Sequence, residues 1–555
     1  MNKNYLKIIS LGGFGHVTKN MFVYETEKDI IIVDCGVGFP EQEMLGVDLV
    51  IPDVSYLLPK KDKIRAIFIT HGHEDHTGAL AYLLPQLGLN LPIFAPKWAK
   101  ALIEDKLAEF GIIPNIDEIS EGKRVNVGDF SLEFVKVTHS IPDTLHFAIK
   151  TPVGIFYHAA DFKLDLRPVM GSPTNQNLIR EIGQKGVVCM LSDCLRAENP
   201  GFTPPEARLG EMFEEEIGSC QGKFLVTTMS SNLSRLKMAI DVSLRHGRKI
   251  VLVGRSVEKN MEIGSKLKYV SFPKDTFIPK KIMGRFPPQS LTLLVAGSQG
   301  QLGSAMDRLV AGEIEQVKIK PGDKVVFSSD FIPGTESAVY TLIDNIYRLG
   351  GEVSYANIRS DVHVSGHGAQ GDLSKLMELI KPKYLVPIGG NYRHLVAYRK
   401  LAVKNGYTSD KVLIRDNGEI IEFNEKGLVP TKEKVTVGQV MVDALGVGDV
   451  GNVVLRDRKI LSEEGIVVAI LPLKLDTFQF DEDPEIISRG FVYIKDNLEL
   501  LAETKAGIRH TLAGLKGGVQ NDTRLARQVV QDYLEKFFFK KTGRRPMVLV
   551  VVIEV

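Results

Sequence analysis

Cysteine is scarce. Cys35, Cys189, Cys194 and Cys220 are the only four in 555 residues, and no two form a CxxC pair. That usage excludes a disulfide framework and a thiolate zinc finger. It suits reduced, partly buried small hydrophobes in a cytosolic protein, and no zinc site is expected between Cys189 and Cys194. Long apolar runs are also missing, so no segment is predicted to span a bilayer. Met1-Asn2-Lys3-Asn4-Tyr5-Leu6 enters a strand pattern almost at once, leaving no room for a signal peptide. Charge of one sign is not in excess. With a formal net charge of +1, any RNA or DNA contact must come from a local basic groove. There is no sequence repeat and no low-complexity tract. The length exceeds the ~250–300 residues at which single cores stop growing, so several domains are expected.

What is present is concentrated chemistry. His71-Gly72-His73-Glu74-Asp75-His76 places three imidazoles and acidic groups in six residues. It follows Ile64-Arg65-Ala66-Ile67-Phe68-Ile69-Thr70, an apolar run that reads as a buried strand. It precedes Thr77 to Leu84, which reads as the start of a helix. A strand end running into a loop lets side chains converge that a regular helix would splay. Nitrogen and oxygen ligands without thiolate point to a catalytic zinc or manganese site. The pattern HxHxDH resembles the signature of the metallo-β-lactamase superfamily. By that resemblance His71 and His73 belong to a first metal, Asp75 and His76 to a second.

Two further candidates also follow strand patterns. His139 comes after Leu132 to Val137, and Asp161 after Gly154 to Tyr157. Alone, either reads as a cap or a solvated turn; in this order behind HxHxDH they extend the ligand set. Asp161 is the candidate bridging carboxylate, because one carboxylate can offer an oxygen to each ion. Asp34, ending the strand-like Ile30 to Val33, is a candidate to orient a ligating histidine. The alternative is an ordinary turn aspartate before Gly36.

From residue 201 to about 350 short apolar runs alternate with helical segments. Each run ends on small or polar residues: Thr227 to Asn232, Gly254-Arg255-Ser256, Gly297 to Gly300, and Ser328-Ser329. This is the βα alternation of a parallel sheet, whose strand ends bind ligands. The chain ends on Met547 to Val555, an apolar strand that must be paired within its domain or across an interface.

Together Leu11 to Gly15, Asp34-Cys35-Gly36, Thr70 to His76, His139 to Asp143 and Asp161-Phe162-Lys163 resemble the bacterial ribonuclease J family, of the β-CASP group. The likeness continues through Thr227 to Asn232, Gly254 to Ser256, Ser328 to Gly334, His363 to His367, Gly451 to Asp457, Ser488 to Val492 and Arg545-Pro546-Met547. It is collinear over nearly the whole chain. It implies an α/β protein: a metallo-β-lactamase αββα sandwich in residues 1–200 and 356–430, with an inserted β-CASP parallel α/β domain in 201–355. A linker over 431–450 leads to a small C-terminal α+β domain, 451–555, for oligomerisation.

The implied activity is metal-dependent hydrolysis of RNA, by 5′-to-3′ exonuclease and endonuclease modes, in processing (including ribosomal RNA) and decay. The implied cofactors are two divalent ions, zinc first, manganese or magnesium as alternatives. His71, His73, Asp75, His76, His139 and Asp161 are the expected ligands. Asp75, Asp193 and His367 are the expected catalytic residues, with His367 as general acid or leaving-group stabiliser. Ser230, Ser231, Arg255, Ser256, His363, Ser365, Gly366 and His367 are the expected substrate contacts. Helix capping is the competing reading for any single serine. The expected partners are RNA, a second copy in a homodimer or homotetramer, and a paralogous subunit or degradation-complex proteins, in the cytoplasm and away from membranes.

The chain departs from the family pattern. Where the family has PIHGE, this sequence reads Pro387-Ile388-Gly389-Gly390-Asn391, so Gly389 replaces a ligand histidine and weakens the expected second metal site. His16 stands where the family has an acid, and Ala159-Ala160 precede Asp161. His394, five residues after Gly389, is an alternative ligand unless a helix starting near Asn391 turns it away. Gly389 also supports a second reading, a weakly active or non-catalytic RNA-binding paralogue. A third is a small-molecule metallohydrolase, which the long βα insertion and the segment His363 to His367 disfavour; another β-CASP enzyme, such as a DNA-processing relative, shares the metal motif and stays open.

Overall fold

The computed structural model describes residues 4–555 except 42, 333, 445, 475–476, 478, 492–496 and 515–522. Met1, Asn2, Lys3, Pro333 and Val492, each part of a sequence motif, therefore lie outside the described residues. Two compact units emerge: residues 1–39 with 50–440, and residues 40–49 with 441–555.

The first unit is built around two facing sheets. One has eight strands, in the order Gly427–Val429, Ile420–Asn424, Tyr5–Gly12, Met21–Glu25, Ile30–Val33, Ile64–Phe68, Ile93–Pro96 and Ile116–Ile119. The other has six, from Tyr384–Ile388 through Val187–Asp193, Gly154–Ala159, Leu145–Thr151 and Phe130–Lys136 to Arg124–Val127. These runs are rich in β-branched and aromatic residues, which suit a pleated, buried surface. Leu6, Ile8, Tyr24, Ile31, Val33 and Phe68 meet Phe134, Phe147, Phe156, Leu191 and Val386 in one core. On the other face of the six-stranded sheet, Val135, Ala148, Tyr157 and Met190 pack with Ile179 and Ile182 of helix Gln176–Gln184, Leu373 and Leu376 of helix Gln370–Ile380, and Leu395 and Tyr398 of helix Tyr392–Lys404. Helices Leu80–Leu87 and Lys97–Glu109 make the crossovers that the parallel strands Ile64–Phe68, Ile93–Pro96 and Ile116–Ile119 require.

Between these halves the chain builds a five-stranded parallel sheet in the order Lys249–Val253, Leu291–Val295, Phe224–Thr227, Lys324–Phe327 and Glu352–Ser354. The chain then returns to the sandwich twice. Tyr384–Ile388 pairs in parallel with Val187–Asp193, and Ile420–Asn424 pairs antiparallel with Tyr5–Gly12. The first pairing aligns Asp193 with Ile388, which brings two sequence-distant motifs to one sheet edge.

In the second unit the apolar C-terminal strand Met547–Glu554 is paired within its own unit, in parallel with Ile466–Lys474. Val548 and Val550 face a core with Ile508, Leu512, Val530, Leu534 and Phe538 from two helices. Leu549 and Ile553 remain exposed. All four cysteines are free and buried, where partial burial was expected. Among the described residues, no helix is long and apolar enough to cross a membrane.

Candidate metal centre

Strand Ile64–Phe68 delivers Thr70 and His71 to the sheet edge, and the short helix Glu74–Thr77 then turns Asp75 and His76 back beneath them. The helix expected to start at Thr77 starts at Leu80, and Thr77 instead ends the short helix Glu74–Thr77. Ligand atoms of His71, His73, His139 and Asp161 lie within 4.8 Å of one another, and so do those of Asp75, His76 and Asp161. The two sets share Asp161. Its Oδ2 sits 3.6 Å from His71 Nε2, 3.6 Å from His139 Nε2 and 3.5 Å from His76 Nε2. These separations are long for hydrogen bonds and suit donors that meet on an ion between them. A nearly buried carboxylate so placed fits a divalent cation on each side.

The outer nitrogens are held in the way ligating histidines require. His76 Nδ1 contacts Asp34 Oδ2 at 2.7 Å, His71 Nδ1 contacts Thr70 Oγ1 at 3.0 Å, and His139 Nδ1 contacts the Gly366 carbonyl at 2.8 Å. Asp34 does more than end a strand: its carboxylate also accepts from the Thr70 N–H and hydroxyl. It is fully buried with φ of 62°, a left-handed conformation that a non-glycine residue keeps only where its surroundings demand it. Burial keeps His71, His73 and His139 from protonating, His73 down to about 3, so their lone pairs are free for a cation. Burial would also lower His76, but Asp34 and Asp161 outweigh it and raise it. Burial pushes the Asp75 carboxyl up to about 6, against the pull of His76.

His367 lies beside this cluster. Its Nδ1 contacts Asp193 Oδ2 at 2.8 Å, and its Nε2 is 3.9 Å from Asp161 Oδ2. Burial disfavours the imidazolium, yet Asp193 and Asp161 prevail and lift His367 to about 9. His367, Asp193 and Asp161 form a third compact group of ligand-type atoms. In the segment His363 to His367 the side chains of His363, Ser365 and His367 are partly accessible, while Val362, Val364 and Gly366 are buried.

The other sequence-predicted contacts lie elsewhere. Ser230 Oγ meets Ser256 Oγ at 2.9 Å at the carboxyl ends of strands Phe224–Thr227 and Lys249–Val253, where Arg255 is exposed. Neither serine caps a helix: Asn232 caps Leu233–Arg245, and Gly254 precedes Arg255–Lys266. Gly389 has φ of +65°, and a Cβ there would have only Asp161 Oδ1 at 3.8 Å and Asp193 Oδ1 at 3.9 Å for neighbours. A Cβ at position 389, where the expected imidazole would start, thus meets only ordinary van der Waals contacts. His394 does not take the place of that imidazole. Its Nδ1 accepts the Asn391 N–H at 3.2 Å in a capping arrangement, and its Nε2 faces Glu198 at 3.5 Å. His16 is exposed and outside the three groups of ligand-type atoms.

Sequence reasoning missed a buried ionic chain behind the cluster. Lys163, two residues past Asp161, contacts Glu206 Oε2 at 3.0 Å, and Glu206 Oε1 accepts from Arg235. It also missed Asp372, fully buried, whose carboxylate accepts from the backbone N–H groups of Leu164, Thr203 and Ala369. That one side chain ties the segments carrying Asp161 and His367. Glu206, Arg235 and Asp372 lie in helical turns, where a charged residue ordinarily reads as solvated, so they carried no sequence signal.

Comparison with known proteins gives four family matches along the chain. Residues 15–164 match the metallo-beta-lactamase superfamily and 221–346 the Ribonuclease J beta-CASP domain. Residues 355–413 match the Zn-dependent metallo-hydrolase RNA specificity domain, and 453–555 the Ribonuclease J C-terminal domain. Ribonuclease J2 of Bacillus subtilis strain 168 is 35% identical, covering 100% of this chain and 99% of its own. Ribonuclease J 1 of Streptococcus pyogenes serotype M3 is also 35% identical, over 100% and 98%. Among solved structures, a protein of unknown function from Enterococcus faecalis V583 shares the fold, with a TM-score of 0.52 at 14% identity, over 76% of this chain and 100% of that one.

Proposed function

We propose, from the premise that this chain belongs to the ribonuclease J family and is a metal-dependent ribonuclease, that it cleaves RNA at the Asp161-centred cluster in both 5′-to-3′ exonucleolytic and endonucleolytic modes. The observation that carries this reading is the sharing of Asp161 Oδ2 between two ligand sets, with His367 within 3.9 Å of the same oxygen.

In this reading His71, His73, His139 and Asp161 hold one divalent ion, and Asp75, His76 and Asp161 hold the second. Zinc suits the nitrogen-rich first set best, with manganese or magnesium as alternatives. Bound there, such ions polarise the phosphodiester and make water a nucleophile near neutral pH. The protein supplies the rest. Asp34, Thr70 and the Gly366 carbonyl keep the imidazoles aimed inward. His367, with Asp193 Oδ2 2.8 Å from its Nδ1, is placed to give a proton to the departing oxygen or to stabilise its charge. His363, Ser365 and Gly366 offer N–H and hydroxyl donors to a substrate phosphate. Ser230, Ser231, Arg255 and Ser256 meet RNA further along the strand, at the carboxyl ends of the parallel sheet.

Residues 1–200 and 356–430 act as the catalytic domain, 201–355 as the RNA-clamping insertion, and 451–555 as the self-association domain of a dimer or tetramer in the cytoplasm. The test is hydrolysis of 5′-monophosphorylated RNA by metal-stripped protein resupplied with Zn²⁺, Mn²⁺ or Mg²⁺. Mononucleotide release together with internal cuts is expected. Absence of either product with every ion would refute the corresponding mode.

A further inference from the structure

We propose that Arg235 is a positioning residue that fixes His363 as its Nε2–H tautomer and thereby sets the hydrogen-bond donor that His363 presents to an RNA phosphate. The inference rests on the reading of His363 as a phosphate contact. The tautomer itself does not.

Arg235 is 1% exposed and lies in the first turn of helix Leu233–Arg245, inside the inserted domain. A guanidinium has five N–H groups and no acceptor, and it keeps its charge in proteins. All five are spent here. Nε and Nη2 donate to Glu206 Oε1 at 3.0 and 2.7 Å, and the second Nη2 hydrogen goes to the Val364 carbonyl at 2.7 Å. Nη1 donates to the Ser328 carbonyl at 2.8 Å and to His363 Nδ1 at 2.9 Å.

Because the guanidinium can only donate, His363 Nδ1 must accept, and its proton must sit on Nε2. A second contact points the same way. Nε2 lies 3.3 Å from Asp330 Oδ2, an oxygen that can only accept when ionised. The charged groups around the ring are Arg235, Lys163 and Arg196 on one side of the balance and Glu206 and Asp330 on the other. Burial and then the Arg235 charge keep the ring from taking a second proton, which agrees with the hydrogen-bond geometry. An RNA phosphate reaches this donor by displacing Asp330 Oδ2.

The arrangement ties three distant segments together. Glu206 fixes the guanidinium, Ser328 and Val364 fix its plane, and the plane fixes His363. Lysine at 235 keeps the charge but cannot make the fork. Arg235 therefore acts on substrate through His363 and is not itself a catalytic residue.

The tautomer is measured on the full-length protein labelled with ¹⁵N-histidine, with His363 assigned by difference from His363→Gln. At pH 7 long-range ¹⁵N–¹H correlations are expected to show an unprotonated Nδ1 and a protonated Nε2. A protonated Nδ1 would overturn the proposal, and this needs no variant at 235. The functional half is read from a double-mutant cycle with 5′-monophosphate RNA. Arg235→Lys is expected to raise KM at least about ten-fold, the size of one hydrogen bond to a charged group, with kcat within about two-fold. In a His363→Gln background the same substitution is expected to change KM little. An undiminished effect in that background would show that Arg235 works through something else. A His363→Gln variant with unchanged KM would sink the phosphate contact, and with it the use of the donor, while the spectrum still decides the tautomer.

Discussion

The backbone N–H of Gly389 donates to the carbonyl of Gly13 at 3.0 Å, joining the strand end beside Asp161 and Asp193 to the glycine loop that follows the first strand. Gly389 has φ of +65°, and a Cβ there would meet only Asp161 Oδ1 and Asp193 Oδ1 within 4 Å. Asp75, His76 and Asp161 still lie within ligand distance of one another, so the turn removes a candidate ligand without dismantling the set.

Gly389→His is expected to raise retention of the second ion and with it RNA cleavage. A Cβ meets no clash at 389, but a non-glycine residue in left-handed conformation costs about 1–3 kcal/mol, so the metal-free variant should melt below the wild type. Metal stoichiometry during mild chelation, read alongside Tm, checks both halves. Two ions held equally tightly by the wild type would show that the open position is already compensated.

His71→Ala/His73→Ala is expected to empty the first site. Outer partners of ligands commonly matter by ~10–100-fold, so loss of two direct ligands should cut RNA cleavage by more than that. Metal analysis of the folded double variant is the check. Full metal content with undiminished activity would refute the ligand set.

Much of this centre was legible because its residues are local in sequence or end on a strand. HxHxDH occupies six consecutive positions, and His139 and Asp161 each follow a strand pattern. The βα alternation gave the parallel sheet for the same reason: its signal repeats at short range. What was not legible depends on long-range contact. Glu206, Arg235 and His363 are far apart in the chain: His363 reads as a substrate contact, Glu206 and Arg235 read as surface residues, and nothing in the sequence links the three. The serines after strands suggested caps, but Asn232 outcompetes Ser230 and Ser231 because its side chain reaches the N–H of Arg235. His394 had two futures in the sequence, and the helix that begins at Tyr392 turned it into a cap.

Ser365→Ala is expected to narrow the preference for 5′-monophosphate over 5′-hydroxyl RNA. The Ser365 hydroxyl accepts the His367 N–H at 3.2 Å, so it both shapes the loop and leaves its own hydrogen for a phosphate. One hydrogen bond to a charged group is worth about 1.5–3 kcal/mol, so the ratio of kcat/KM for the two ends should fall at least about ten-fold. An unchanged ratio would place the 5′-end contact elsewhere.

Acid should weaken the protein through Glu206. Burial alone would raise its pKa, but Arg235 and Lys163 prevail and hold it at about 2, against 4.5 for an ordinary glutamate. A carboxyl lowered on folding stabilises the fold fully above pH 4.5, and that stabilisation is lost as pH falls toward 2. The shift corresponds to roughly 3 kcal/mol. Glu206→Gln lacks this term and leaves Arg235 and Lys163 poorly compensated, so it should melt well below the wild type at pH 7. The gap in Tm should narrow between pH 5 and pH 3. A gap independent of pH over that window would show that Glu206 acts by packing alone.

The C-terminal strand provides the last prediction. Met547–Glu554 pairs along one edge with Ile466–Lys474, while Leu549 and Ile553 stay exposed at 51% and 47%. Exposed apolar side chains on the outer face of this strand invite another surface, and a second copy offers the same face in return, as a two-fold interface requires. Truncation at about residue 445 is expected to lower the number of subunits per assembly. Leu549→Lys/Ile553→Lys should do the same while leaving Val548 and Val550 in their core, which separates lost contact from lost folding. Light scattering gives the mass, and RNA cleavage by the same samples shows whether activity depends on assembly. An assembly of unchanged subunit number in both variants would move the self-association surface away from this strand.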